Sequence, residues 1–214
     1  MCYKKFLGML ALASVLVSCQ KDPDWEEMDN EYMVYTQRDE SFNANEHQYY
    51  YIPDSILIIG NSGEALYLNG RDAENIIATV AQNINNAGYT RVDNKEEADL
   101  GIQLSYVSNT SYFTGYTGSP YWWWGYPGYW DPFYWGGWGY WGYGFPITYS
   151  YSENSLLGEL INLDAPEGDD IKLPVVWNMY VNGEASGSKF YDSNRMLRGI
   201  NQAFQQSVYL KKQD

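Results

Sequence analysis

Few residues of this chain can do covalent or acid–base chemistry, and their spacing narrows what that chemistry can be. The 214 residues include two cysteines and a single histidine. A triad of nucleophile, imidazole and carboxylate therefore has one possible base, His47, which stands beside the run Tyr49-Tyr50-Tyr51 and is expected to be a solvated polar residue on a sheet edge. Asp164, Glu167, Asp169 and Asp170 supply the oxygen donors that Ca²⁺ favours, but their spacing does not follow an EF-hand loop. They read as a solvated acidic turn, and Asp93, Glu96, Glu97 and Asp99 as another. No G-x-S-x-G elbow, H-E-x-x-H motif or Walker loop occurs. On these grounds no catalytic residue, cofactor or metal is expected, and the chain is not expected to be an enzyme.

The two sulfurs have a different use. Lys4 and Lys5 precede an uncharged, mostly apolar run from Phe6 to Val17, which ends in Leu16-Val17-Ser18-Cys19. That is the layout of an export signal. As a helix the run covers about 18 Å, well short of the ~30 Å hydrocarbon core, so it is not a permanent membrane span. Its ending resembles the lipobox of bacterial lipoproteins, in which cleavage between residues such as Ser18 and Cys19 leaves an acylated cysteine as the first residue. The resemblance implies residues 1–18 as signal peptide and a diacylglyceryl group on Cys19. One acyl chain holds a protein marginally and two hold it stably, so this anchor suffices. Cys2 leaves with the signal and Cys19 is consumed by lipid. The mature domain then has no thiol, no disulfide and no cysteine nucleophile.

Residues 19–30, including Gln20-Lys21-Asp22-Pro23-Asp24-Trp25-Glu26-Glu27, are acidic and polar and read as a tether. They resemble the acidic export tags with which Bacteroides-type bacteria send lipoproteins to the cell surface. The expected location is the outer membrane, with the cell surface preferred over the periplasmic face. The net charge is −14, and removal of Lys4 and Lys5 leaves 11 basic against 27 acidic residues, or −16. Nucleic-acid binding rests on Lys and Arg neutralising phosphates, so that partner is excluded, as is electrostatic docking on anionic lipid.

Residues 31–214 are expected to form one domain, since about 140–160 residues of non-repetitive sequence can build an ordinary core. Strands are expected at 31–35, 48–52, 56–59 and 65–68, the last two forming a hairpin about Gly60-Asn61-Ser62-Gly63. Ala73, Ile76, Ile77, Val80, Ala81, Ile84 and Ala87 recur at helical intervals and predict a helix over 71–87, with Gly88 as its left-handed cap and a short strand at 89–92. Leu100, Ile102, Leu104 and Tyr106 alternate with Gly101, Gln103, Ser105 and Val107, predicting a strand whose polar face looks outward. Strands at 155–163 and 175–183 pair as a hairpin, and a helix over 194–210 presents Leu197, Ile200, Phe204 and Val208 on one face. The fold class is therefore α+β: a two-layer sandwich with a largely antiparallel sheet and two main helices on one face.

Several of these strings have a family likeness. Gly88-Tyr89-Thr90-Arg91-Val92 followed by Glu97-Ala98-Asp99-Leu100 resembles the "G-Y-x-x-V … A-D-L" passage of domain-of-unknown-function family 4136, bacterial envelope lipoproteins. Tyr49-Tyr50-Tyr51-Ile52-Pro53-Asp54 resembles its early strand, and Gly158-Glu159-Leu160-Ile161-Asn162-Leu163 with Val176-Trp177-Asn178-Met179 its closing hairpin. The likeness spans roughly residues 31–108 and 147–210 and implies a fold, with no reaction, ligand or catalytic residue to transfer. Members commonly have a Gly/Tyr/Trp-rich insertion at the same place, whereas the hairpin over 56–68 departs from the pattern.

That insertion, Tyr112 to Tyr151, holds 20 aromatic residues and 9 glycines in 40 positions, with Asp131 its one charge. It lacks helical and alternating periods, so 112–148 is expected to be an irregular, low-complexity segment. Its tryptophans, Trp122, Trp123, Trp124, Trp130, Trp135, Trp138 and Trp141, could expose on the order of 1,000 Å² of ring surface, more than a monomer's usual largest patch. Collapse on itself, another envelope protein, a second copy, the membrane interface and a glycan are the candidate covers, the glycan ranking last. The expected function is a lipid-anchored, non-catalytic binding or structural module. The alternative is a glycan-binding protein or a glycan-acting enzyme using paired carboxylates near the aromatic rings.

Overall fold

The apolar periodicities of the sequence become two helices laid on one face of a mixed sheet. The computed structural model describes residues 34–60, 65–108, 141–143, 154–164, 173–182 and 193–213. Strands β1 (Val34–Arg38), β2 (Tyr49–Tyr51), β3 (Ile56–Ile59) and β4 (Leu66–Leu68) precede helix α1 (Arg71–Asn86). β5 (Thr90–Arg91), β6 (Leu100–Val107), β7 (Trp141–Tyr143), β8 (Ser155–Asn162), β9 (Leu173–Asn182) and helix α2 (Ser193–Gln206) follow.

The long strands β6, β8, β9 and β1 form an antiparallel centre, and β3 and β4 form the expected hairpin. The short strands make the sheet mixed, which the expectation of a largely antiparallel sheet did not include. β2 and β3 both run parallel to β6 and share its free edge; β5 runs parallel to β2, and β7 parallel to β9. Each parallel pair is joined through a crossover, and α1 supplies the one between β3 and β6.

α1 buries Ala73, Ile76, Ile77, Val80, Ala81 and Ile84, the stripe its spacing predicts. Asp72 and Glu74 sit in its first turn, where the helix dipole favours negative charge. Gly88 follows its end with φ +104°, a left-handed conformation that a Cβ would strain. The buried Tyr50 ties β2 to this helix, its hydroxyl 3.2 Å from the Ala81 carbonyl and 3.0 Å from Asn85 Oδ1. Asn83 donates to Asn201 Oδ1 at 2.7 Å and links the two helices.

α2 differs from its expected span. It ends at Gln206, and Val208–Leu210 form a separate 3-10 turn. Ser207 breaks the helix: its hydroxyl accepts the Trp177 indole N–H at 3.0 Å and lies 3.1 Å from the Tyr209 hydroxyl. The tighter turn rotates Val208 off the apolar face, leaving it 64% exposed, while Met196, Ile200, Ala203 and Phe204 are buried. Gly199 lets α2 lie close on β9, since a Cβ there would stand 2.3 Å from Val181 Cγ1. Trp177 and Phe204 pack at a ring separation of 5.1 Å in the centre of this layer.

The opposite sheet face corrects the expectation of an outward polar side on β6. Gln103, Ser105 and Val107 are buried there, together with Leu57, Ser155, Leu157, Glu159, Ile161, Asn178 and Tyr180, although neither helix packs on that face. Strand register aligns Gln103, Glu159, Asn178 and Gln37 in a row across four strands. Glu159 and Asn178 in that row are both 0% exposed. Beside it, Ser155 and Tyr180 share a hydroxyl–hydroxyl hydrogen bond of 2.8 Å. Alternation along β6 therefore separates an apolar buried face from one that buries polar and apolar side chains together.

Candidate functional site

The residues singled out for lipidation and aromatic contact fall mostly beyond what the structure describes. Ser18, Cys19, Trp122, Trp123, Trp124, Trp130, Trp135 and Trp138 all lie outside the described residues. So do Glu167, Asp169 and Asp170. Trp141 is placed: it opens β7, opposite Leu173 of β9, so this part of the insertion is a strand, contrary to the expectation of no regular structure. Among the described residues no helix is long and apolar enough to cross a membrane.

The structure does define how the aromatic stretch joins the domain. β6 and β8 are antiparallel neighbours from Leu100↔Asn162 to Val107↔Ser155, and the stretch lies between their adjoining ends. Beside the last pair, Tyr106 donates its hydroxyl proton at 2.9 Å to Oδ1 of Asn154, the residue just outside the ladder. Asn154 turns the chain with φ 58°, a left-handed conformation in which Asn is favoured. Ser108 continues β6, its amide donating to the Ile59 carbonyl at 2.8 Å. The base of the insertion is thus fixed on both sides by strand pairing.

At the other end of the same strands, three acid–base groups meet that the sequence scatters. His47 precedes β2, Asp99 precedes β6 and Asp164 follows β8. The Tyr50↔Leu100 and Leu100↔Asn162 pairings bring these three points together. One donor atom from each lies within 4.8 Å of the other two. Asp99 Oδ2 accepts the backbone N–H of Gln48 and that of Tyr49, the latter at 2.9 Å. His47 Nδ1 stands 3.8 Å from Asp164 Oδ2. Its ring stacks on Phe42 with centroids 5.4 Å apart and an interplanar angle of 8°. The Lys212 ammonium donates to the His47 carbonyl at 2.9 Å and to Gln48 Oε1.

Two expectations change here. His47 is 6% exposed, so it is buried and not a solvated edge residue. Asp164 is exposed, as a solvated turn requires, and Glu96 and Glu97 lie in an exposed 3-10 turn before Asp99, but Asp99 and Asp164 are brought beside one imidazole. The available signal was positional, for Asp99 stands directly before one strand and Asp164 just after another. Only the parallel pairing of β2 with β6 makes His47 their neighbour.

Elsewhere among the described residues, a hollow of about 190 Å³ lies between the C-terminal ends of the helices, lined by Asn83, Asn86, Ala87, Phe204, Gln205, Ser207, Leu210 and Lys211. It is smaller than the roughly 300–1,000 Å³ of ligand pockets and has no carboxylate in its lining. The paired acids that glycoside chemistry needs are therefore not in this hollow.

The model of a family described as a domain of unknown function, DUF4136, matches residues 34–207. The crystal structure of a DUF4136 family protein from Bacteroides thetaiotaomicron is similar at 49% identity and a TM-score of 0.78, covering 86% of this chain and 99% of that one. A PelC dodecamer from Paraburkholderia phytofirmans aligns at 12% identity and a TM-score of 0.40, over 85% of this chain and 99% of that one. No curated protein matches the chain.

Proposed function

This chain belongs to the DUF4136 family, and from that premise we propose that it is a lipid-anchored lipoprotein of the bacterial outer membrane whose domain is a non-catalytic binding or structural module. In this reading Cys19 holds the lipid, residues 19–30 form the tether and the aromatic insertion makes the contact. The contacted surface is another envelope protein, a second copy or the membrane interface.

The observation that supports it best is the Val107↔Ser155 pairing, which closes the β6–β8 ladder around the aromatic stretch. Antiparallel neighbours are ordinarily joined by two to five residues, and a much longer connection is usually either a functional loop or a linker segment, of which the density of Trp and Tyr favours the first. Closing a longer loop costs only about 0.6 kcal/mol for each doubling of its length, so the ladder accommodates a long insertion at little cost. Rings of Trp and Tyr are the side chains most enriched where one surface meets another or meets lipid headgroups.

Cross-linking in native envelopes tests the proposal. The full lipoprotein is compared with a variant carrying Trp122→Ser, Trp123→Ser and Trp124→Ser. A cross-linked species, or retention on lipid vesicles when both are made as Cys19→Ser proteins without the acyl anchor, should be present for the first and lost for the second. An unchanged pattern contradicts the contact role of the insertion.

A further inference from the structure

We propose that His47, Asp99 and Asp164 form a binding site for a divalent transition ion of the zinc class, an ion that would clasp three chain segments at one end of the sheet. This goes beyond the lipoprotein reading and does not depend on it.

The argument begins with the imidazole. His47 is 94% buried by its 6% exposure, yet its Nδ1 has no hydrogen-bond partner among the described residues. A buried polar nitrogen without a partner costs about 1–3 kcal/mol, and it is seldom left so without a use. This one is aimed at a carboxylate 3.8 Å away, too far for a hydrogen bond and well placed for a shared ion. Phe42 stacking and the Lys212 bond to the His47 carbonyl hold ring and backbone in place.

The donor set is one imidazole nitrogen and two carboxylate oxygens. Imidazole selects for Zn²⁺ and its neighbours over Ca²⁺ and Mg²⁺, which prefer oxygen alone. Two aspartates balance the ion's charge. Donors at 2.0–2.2 Å from a tetrahedral ion stand about 3.4 Å apart. The three donors here lie within 4.8 Å of one another, so side-chain adjustments of about 1 Å, easiest at the exposed Asp164, bring them to that spacing. Asp99 is already oriented, because Oδ2 accepts two backbone N–H groups from the β2 start. Water would complete the fourth position. The two acids come from different strand ends, which separates this site from an acidic turn.

Because the chain has one histidine, its imidazole resonances report this site without ambiguity. The mature full chain, stripped with chelator, is titrated with Zn²⁺ while the imidazole ¹⁵N signals and calorimetric binding are followed. The expected result is a shift of the His47 signals that saturates at one ion per chain. Asp164→Asn, which alters a side chain 62% exposed and so leaves the fold intact, should weaken that binding at least about tenfold. Heat of binding with unmoved imidazole signals would mean adventitious zinc on surface carboxylates and would overturn the proposal. So would equal affinity in the Asp164→Asn variant.

Discussion

Val107 and Ser155 are directly paired at the end of the β6–β8 ladder, although the whole aromatic stretch lies between them in sequence. The Tyr106–Asn154 hydrogen bond clamps the chain beside that pair. The chain therefore leaves β6 and rejoins at β8 at adjacent points of the sheet, β7 within the intervening stretch pairs with β9, and β6 and β8 keep their register.

From this follows an expected stability. If Trp122, Trp123 and Trp124 serve contact, their triple replacement by serine should move the urea midpoint of the mature protein by less than about 1 kcal/mol in free energy. Core tryptophans cost about 3–5 kcal/mol each on truncation. A loss of that size would make these rings part of the core instead.

The approach of α2 to β9 can be tested independently. Gly199→Ala places a methyl 2.3 Å from Val181 Cγ1, inside van der Waals contact. Overpacking of this kind costs about 1–3 kcal/mol, against a helix-propensity gain of about 0.5–1 kcal/mol. Gly199→Ala should destabilise the wild type and do so much less in a Val181→Ala background, where the clashing methyl is gone. Equal effects in both backgrounds, measured by a double-mutant cycle, would contradict the packing account.

Alkaline stability should follow the buried tyrosines. Burial pushes Tyr50 and Tyr106 up to about 12 from 10.0, with Arg91 opposing part of the effect at Tyr50. Tyr89 is raised by burial as well. An unfolded chain loses these protons near pH 10 while the folded one keeps them, so the unfolded state binds fewer protons above that pH. Stability is thus fully present below pH 10 and falls between pH 10 and 12. Denaturation midpoints across that window should show the fall, with a shallower slope in Tyr50→Phe. A flat profile, or an unchanged slope in the variant, would contradict the burial.

What the sequence disclosed follows from the range of each signal. α1 was legible because six apolar residues at three- and four-residue intervals must share a face, and Gly88 marks its end. The β3–β4 and β8–β9 hairpins were legible because their partners are near neighbours in the chain. β2 and β5 were expected as strands, but their parallel pairing was not, and β7 was not expected at all, since two- or three-residue pairings depend on which distant segment docks. β1 was expected at 31–35 and lies at Val34–Arg38, a shift that only its register with β9 decides. The polar face of β6 was misjudged for another reason. Gln103 and Ser105 alternate with leucines in the same way whether they meet water or a row of Glu159, Asn178 and Gln37. The His47, Asp99 and Asp164 cluster was hidden because its members are brought together by strand pairing and share no local motif.

The proposed function turns on the anchor, which would set the compartment, remove the last thiol and give the insertion its setting. Intact-mass measurement of the protein extracted from native membranes tests it most directly. The account predicts a mature chain beginning at Cys19 with a diacylglyceryl group on its sulfur. A chain that still retains residues 1–18, or a Cys19 with a free thiol, would contradict it.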